Sequence, residues 1–204
     1  MPDEFTYVIE HMEDDDEVSK TVPPWVDLEY AHMRTLAGPK SRVLFTNLSK
    51  VSAESLENKF KSSASSSTSE NLAEVSCRTA GILDLIKEEL GGSLEKVCLL
   101  DPKAEKEISP EDGDGRFEWF LFGVSDLSYI FHEESLSIEG DQGILGDDPP
   151  RDRTGELRVL GFPGRHLGPV QMTTDTALGV TKRVVHDKGA HCPNFMLNEG
   201  NSDV

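Results

Sequence analysis

Four short apolar runs along the chain, the first of them rich in aromatic and β-branched residues, predict β-strands. They lie at residues 5–9, 42–48, 96–100 and 117–122. The run at 96–100 is continuous, which is typical of a strand that is buried on both faces.

Three other segments have the period of amphipathic helices. The first runs up to Gly38, and its predicted apolar face consists of Trp25, Leu28, Ala31 (or His32) and Leu36. The second spans 79–90, ends at two glycines, and has its apolar positions at Ile82, Leu85, Ile86 and Leu90. The third is capped by Thr173 or Thr174 and runs to about residue 185, with Ala177, Val180, Thr181 and Val184 on one face.

Strands that alternate with helices in this way predict an α/β fold with a mostly parallel sheet. Ligands of such sheets bind beyond the carboxyl ends of the strands. The loops expected at those ends begin at Glu10, at Asp101 and at Gly123.

The chain has 204 residues, which is the size of one ordinary domain, and a formal net charge of -18. Such a field repels nucleic-acid phosphates and attracts a basic protein, although solubility alone explains many acidic chains. Three cysteines without regular spacing predict neither a disulfide framework nor a metal site. No signal peptide or membrane span is evident, so a reducing, cytoplasmic location is expected.

Residues 143–182 concentrate glycines, a double proline and a polar helix start. Glycine lets the backbone approach a ligand, and Asp148 can cap a helix that begins at Pro149. Arg151 and Arg153 can pair with nearby aspartates, so a capped helix with local ion pairs is the alternative, but a plain cap needs neither two glycines nor two prolines. The free N–H groups expected after Thr173 would suit a ligand carboxylate.

Taken together, the strings YVIEHMED, WVDLEYAHM, VCLLDPKA, FLFG, GILGDDPPRDRTGELR and QMTTDTALGVTKRVV resemble the fungal SPOUT-class protein arginine methyltransferases. The resemblance runs from about residue 5 to residue 188. It implies a deep trefoil knot that holds S-adenosylmethionine, and a basic small-subunit ribosomal protein as the substrate. The protein would be a monomer or a weak dimer, with no metal, no membrane and no direct contact with nucleic acid.

The resemblance also assigns the cofactor loops, which would contact S-adenosylmethionine mainly through backbone atoms. They comprise Leu100, Asp101, Pro102, Gly123, Gly143, Ile144, Gly146, Asp147, Leu167, Gly168, Gln171, Met172, Thr173 and Thr174.

Methyl transfer to arginine needs carboxylates that grip and orient the guanidinium, because that group stays protonated at neutral pH. Glu10, Asp147 and Asp152 are the catalytic candidates, and His11 at the same strand end is a weaker one. A carboxylate and an imidazole at a strand end are, by themselves, more often an ordinary loop.

The chain departs from the family pattern at residues 124–142, which separate FLFG from GILGDD. Every Val codon begins with GT and one Gln codon is CAG, so a retained intron and a genuine loop insertion both remain open. We expect a methyltransferase domain at 1–188, with flexible loops at about 13–21 and 61–72. The tail at 189–204 is expected to be disordered or misannotated.

Two alternatives to a protein arginine methyltransferase remain. An RNA methyltransferase on the same fold is disfavoured by the negative charge. A non-catalytic knotted binding protein would result if the insertion at 124–142 blocked the site.

Overall fold

The computed structural model describes residues 5–63, 71–123, 153–170 and 172–188. Six strands form one sheet, namely β1 (Phe5–Glu10), β2 (Ser41–Thr46), β3 (Glu74–Cys77), β4 (Val97–Leu100), β5 (Trp119–Gly123) and β6 (Gly164–Arg165). Five α-helices accompany them, namely α1 (Pro24–Ala37), α2 (Lys50–Ser63), α3 (Ile82–Glu89), α4 (Arg153–Arg158) and α5 (Thr174–Val185). None of the helices in these ranges is long and apolar enough to cross a membrane.

The sheet has the order β3-β2-β1-β5-β4-β6, and every pairing among the described strands is parallel. The prediction of a mostly parallel α/β sheet is therefore confirmed. The chain leaves β1 toward β2 on one side, whereas it leaves β5 toward β6 on the other. The carboxyl ends of β1 and β5 consequently flank a topological switch point, the usual position of a ligand in such sheets.

Helices cover both faces of the sheet. One core contains side chains from α1, α2 and α5, such as Tyr30, Phe60 and Leu178, packed on one face of the strands. The other core contains Ile86 of α3 and Leu157 of α4 against the opposite face. The strands are buried on both sides, which explains their continuous apolar runs.

The predicted apolar face of α1 is only half correct, since Ala31 and Leu36 pack against the core but the other two members do not. Trp25 and Leu28 are 38% and 70% exposed. The buried face is the neighbouring stripe, which comprises Val26, Tyr30, Met33 and Ala37. Both stripes are apolar at helical spacing, and the stripe with Tyr30 is buried because this ring stacks on Phe45 of β2, with 4.0 Å between ring centroids.

Other predictions for the helices and cysteines fare better. Helix α3 buries Ile82, Leu85 and Ile86, and α5 is capped by Thr173, whose side chain accepts a hydrogen bond from the backbone N–H of Thr176. Cys77 and Cys98 are buried free thiols, and Cys192 lies outside the described residues. The helix expected from Pro149 also lies outside them, as does the segment 124–152 on which the expected knot depends. The knot therefore stays a prediction.

Candidate functional site

A pocket opens at the carboxyl edge of the sheet, beside the switch point. The ends of β4 and β5, the first turn of α4, the loop after β6 and the start of α5 converge on it. Its lining consists of Leu100, Asp101, Pro102, Phe122, Gly123, Thr154, Leu167, Gly168, Val170, Met172, Thr174 and Ala177. Four segments that are separated in sequence thus build one cavity.

The structure brings most of the predicted cofactor residues together in this pocket. Of those that it describes, all except Thr173 line the cavity, and Thr173 caps the helix that forms one wall. The lining residues are Leu100, Asp101, Pro102, Gly123, Leu167, Gly168, Met172 and Thr174. Gly143, Ile144, Gly146, Asp147 and Gln171 lie outside the described residues, and so does the catalytic candidate Asp152.

Two glycines in the lining fit the close packing and the turn at their positions. A Cβ on Gly123 would lie 3.3 Å from Oγ1 and 3.4 Å from the backbone N of Thr154, so α4 would have to shift slightly away from the end of β5. Gly168 has a φ of 91°, a conformation that side chains other than glycine rarely adopt. Both glycines therefore shape the backbone around the cavity.

Asp101 is 3% exposed, and its carboxylate is fully engaged within the chain. Arg158 of α4 donates from Nε and Nη2 to the two oxygens, the latter at 2.6 Å, and the backbone N–H of Lys103 donates to Oδ1 at 2.9 Å. Such a bidentate pair is geometrically specific. Asp101 therefore fixes α4 over the pocket, and its carboxylate is not free to bind a ligand cation.

Glu10 lies one strand away from the pocket, where it is in register with Gly123 and Thr46. Its carboxylate accepts hydrogen bonds from the Thr46 hydroxyl and, at 3.0 Å, from the backbone N–H of Ile82, the first residue of α3. Burial raises the pKa of Glu10, while the bonds from Thr46 and Ile82 lower it. Glu10 thus caps a helix, and its predicted role in gripping arginine stays a prediction.

His11 follows Glu10 and is 3% exposed. Its Nδ1 lies 2.8 Å from the hydroxyl of Tyr30, whereas its Nε2 has no hydrogen-bond partner among the described residues. Burial lowers the pKa of His11, and the carboxylates of Asp15 and Asp14 raise it in turn. The His11 ring therefore packs against Tyr30 of α1 in its neutral form, an arrangement that supports the fold. Its weaker candidacy as a catalytic residue stays a prediction.

Sequence reasoning missed a group of ionisable residues between α1 and α5. Asp175 accepts from His32 Nδ1 at 2.7 Å, and Glu29 lies beside it. Within the ranges that the structure describes, no group of three or more His, Cys, Asp or Glu side chains is arranged to hold a metal ion. The spacing of Glu29 and His32 on one helix face was the available signal, but their partner is more than a hundred residues away.

Comparisons with known proteins agree with this geometry. A family model described as "Protein arginine N-methyltransferase SFM1-like" matches residues 6–125 and 138–192. The chain is 31% identical over 186 residues to protein arginine N-methyltransferase SFM1 of Saccharomyces cerevisiae, covering 89% of this chain and 71% of the relative.

Solved structures give the same result. The yeast arginine methyltransferase SFM1 complexed with SAM is 30% identical, with a TM-score of 0.61, over 92% of this chain and 70% of that one. The same enzyme complexed with SAH has a TM-score of 0.60 and 29% identity, over 91% and 74% of the two chains.

A parallel α/β sheet with a loop-lined pocket at its carboxyl edge defines a cofactor-binding protein, and the fold is that of the SPOUT class of methyltransferases. The chain belongs to the SFM1-like family of protein arginine N-methyltransferases. The stretch that the family model leaves unmatched, residues 126–137, falls within the segment 124–142 that departs from the pattern in the sequence.

Proposed function

We propose that this chain transfers a methyl group from S-adenosylmethionine to an arginine of a basic small-subunit ribosomal protein in the cytoplasm. The observation that carries the proposal is the single pocket formed by the residues that the family resemblance assigns to the cofactor. Its position at the switch point and the presence of SAM and SAH in the related yeast structures support the same conclusion.

The pocket has the features that an adenosyl cofactor requires. Leu100, Phe122 and Leu167 give it apolar surface, while Gly123 and Gly168 allow the backbone to approach the ligand closely. S-adenosylmethionine would supply a methyl group bound to a cationic sulfur. The residues of the chain have mainly to position the two reactants, because in-line displacement depends on alignment.

The proposed substrate is a protein because of the charge of the chain. The net charge of -18 favours a basic, arginine-rich polypeptide and opposes a phosphate backbone. The ribosomal protein and the cytoplasmic location are the finer parts of the proposal, and they rest on the family resemblance.

The experiment has two stages. Calorimetric titration of the full chain with S-adenosylmethionine should show one site. The variant Gly168→Ala should weaken binding at least tenfold, whereas Gly115→Ala should not, because Gly115 has a similar φ of 88° and lies outside the pocket lining. Absence of binding by the wild-type chain would refute the assigned cofactor and favour a binding protein instead.

The second stage identifies the acceptor. The chain is incubated with methyl-labelled cofactor and, in separate samples, with purified small-subunit proteins or ribosomal RNA. Label should enter one protein as methylarginine. Label confined to RNA would overturn the protein substrate while leaving the cofactor assignment intact.

A further inference from the structure

Helices α1 and α5 lie side by side, with their N-termini at the edge of the sheet that holds the pocket. His32 of α1 contacts Asp175 of α5, and Leu36, one turn further on, packs 3.5 Å from the position of a Cβ on Gly179. Thr174 and Ala177, in the first turn of α5, line the pocket. Side chains between the starts of the two helices therefore lie next to the cavity.

Glu29 occupies this position. Both of its carboxylate oxygens are shielded from solvent and form no hydrogen bond of standard geometry with any described residue. The backbone N–H of Asp175 interacts with this carboxylate closely enough to lower the pKa of Glu29, although its geometry falls short of a hydrogen bond. Glu13 and His32 are further neighbours. Two acceptor atoms are thus held against the turn of α5 that forms the pocket wall.

Three other carboxylates at this edge already have donors. Asp101 binds Arg158, and Glu10 binds Thr46 and the N-terminus of α3. Asp175 accepts bonds from His32 and from the backbone N–H of Thr176, the latter at 2.7 Å. Buried carboxylates normally have hydrogen-bond partners, so the state of Glu29 needs an explanation.

We propose that the carboxylate of Glu29 receives the guanidinium of the substrate arginine beside the cofactor pocket. This inference rests on the proposed function. A guanidinium presents N–H donors in a planar fork that matches the two oxygens of a carboxylate, whereas an ammonium presents a single point charge. Glu29 therefore both orients the acceptor and selects arginine over lysine.

The electrostatic environment supports this role. Burial raises the pKa of Glu29 to about 7, and the negative charge of Asp175 adds to the effect. A cationic guanidinium would offset both causes, because an opposite charge within a few ångströms favours the ionised form. Burial and Asp175 disfavour the ionised form of Glu29, and a bound guanidinium would offset that cost.

The test compares Glu29→Gln with Glu54→Gln, which removes the same charge from the exposed surface of α2, where the Glu54 side chain is 66% exposed. We expect Glu29→Gln to lower kcat/KM for the protein substrate on the order of 100-fold. The affinity for S-adenosylmethionine should stay within threefold of wild type. Glu54→Gln should leave both quantities unchanged, and Glu29→Asp should recover part of the activity.

Two results would overturn the inference: an activity of Glu29→Gln within threefold of wild type, or an equal loss of cofactor affinity. Neither depends on the proposed function being wrong, which would instead appear as an inactive wild-type chain.

A second measurement uses the wild-type protein, in case the variant does not fold. A substrate peptide whose target arginine is replaced by lysine is treated with a carbodiimide, which joins an amine to an adjacent carboxylate. Mass spectrometry should locate the cross-link at Glu29. A cross-link at Glu10 in its place would contradict the proposal and support the original assignment of that residue.

Discussion

The two sides of the pocket use carboxylates in opposite ways. On the β4–β6 side, Asp101 binds Arg158, and Asp112 binds Arg165 through two hydrogen bonds of 2.9 Å. On the α1–α5 side, Glu29 and Asp175 lie together, and the basic side chain next to them is His32, which is 56% exposed. Paired charges hold helices and strands in place, whereas the Glu29 carboxylate, which has no side-chain hydrogen-bond partner in the described part of the chain, is available to a cationic ligand.

The largest expected effect comes from breaking the paired side. Arg158→Met leaves the buried carboxylate of Asp101 without its main partner, so we expect the free energy of unfolding to fall by about 2–4 kcal/mol. Urea unfolding measures this. Lys87→Met is the matched control, since Lys87 and Asp84 are 72% and 74% exposed, and it should cost less than about 0.5 kcal/mol. Equal losses of stability in the two variants would show that the buried pair of Asp101 and Arg158 stabilises the fold no more than an exposed pair does.

The next effect is a pH dependence of stability that arises from Glu29 on the α1–α5 side. Because burial and Asp175 raise the pKa of Glu29 from 4.5 to about 7, the folded state binds a proton that the unfolded state has released between these values. The contribution of Glu29 is therefore fully present below pH 4.5 and is lost as pH rises toward 7. Relative to wild type, Glu29→Gln should gain about 1–3 kcal/mol at pH 8 and nothing at pH 4.

The comparison of the variant with wild type at each pH cancels the contributions of other groups, such as His11, whose lowered pKa acts in the opposite sense. Unfolding by urea at four pH values supplies the curve. A difference that did not change with pH would mean that Glu29 is already ionised or paired in the free protein.

A smaller effect is expected at Glu10, whose carboxylate caps α3. Glu10→Gln keeps one acceptor for the N–H of Ile82 but loses the negative charge at the start of α3, so stability should fall by about 0.5–1.5 kcal/mol. If Glu10 also grips the substrate, methyl transfer should fall at least tenfold with unchanged cofactor affinity. If the variant loses stability but keeps full activity, Glu10 only caps α3 and does not bind the substrate.

The smallest effect is expected for the exposed pair of His32 and Asp175. His32→Ala should cost less than about 1 kcal/mol, because one partner is more than half exposed and the carboxylate keeps its bonds from Thr173 and Thr176. Thermal unfolding at constant pH checks this. A larger loss would show that α1 and α5 depend on this contact rather than on apolar packing.

Much of the fold could be predicted from continuous apolar runs and helical periods. The strands at 5–9, 42–48, 96–100 and 117–122 correspond to β1, β2, β4 and β5. The elements that were missed give weaker signals. Strand β3 is a polar segment at the edge of the sheet, α2 buries few apolar side chains, and β6 has two residues, so tertiary contacts decide their structure.

The residues of the candidate site also fall into those that a local sequence pattern predicts and those that only tertiary contacts position. Residues such as Gly168 and Pro102 stand in recognisable strings, and the structure gathers them in the pocket. Glu29 stands in the middle of a helix, where a carboxylate ordinarily faces solvent. Only the approach of α5, whose Asp175 lies far along the chain, gives Glu29 its buried position, and no local pattern encodes that contact.

The order of strands also has a consequence for how the molecule assembles. The middle of the sheet is the pairing of β1 with β5, and residues 11–118 lie between these partners in the chain. On a ribosome, β1 and β2 can pair early, but β1 must keep its other edge exposed until β5 has been synthesised. Closing so long a loop is slow. We expect the pairing of β1 with β2 to form first and the central pairing of β1 with β5 to form late. The apolar edge of β1 is therefore the surface most in need of protection during synthesis.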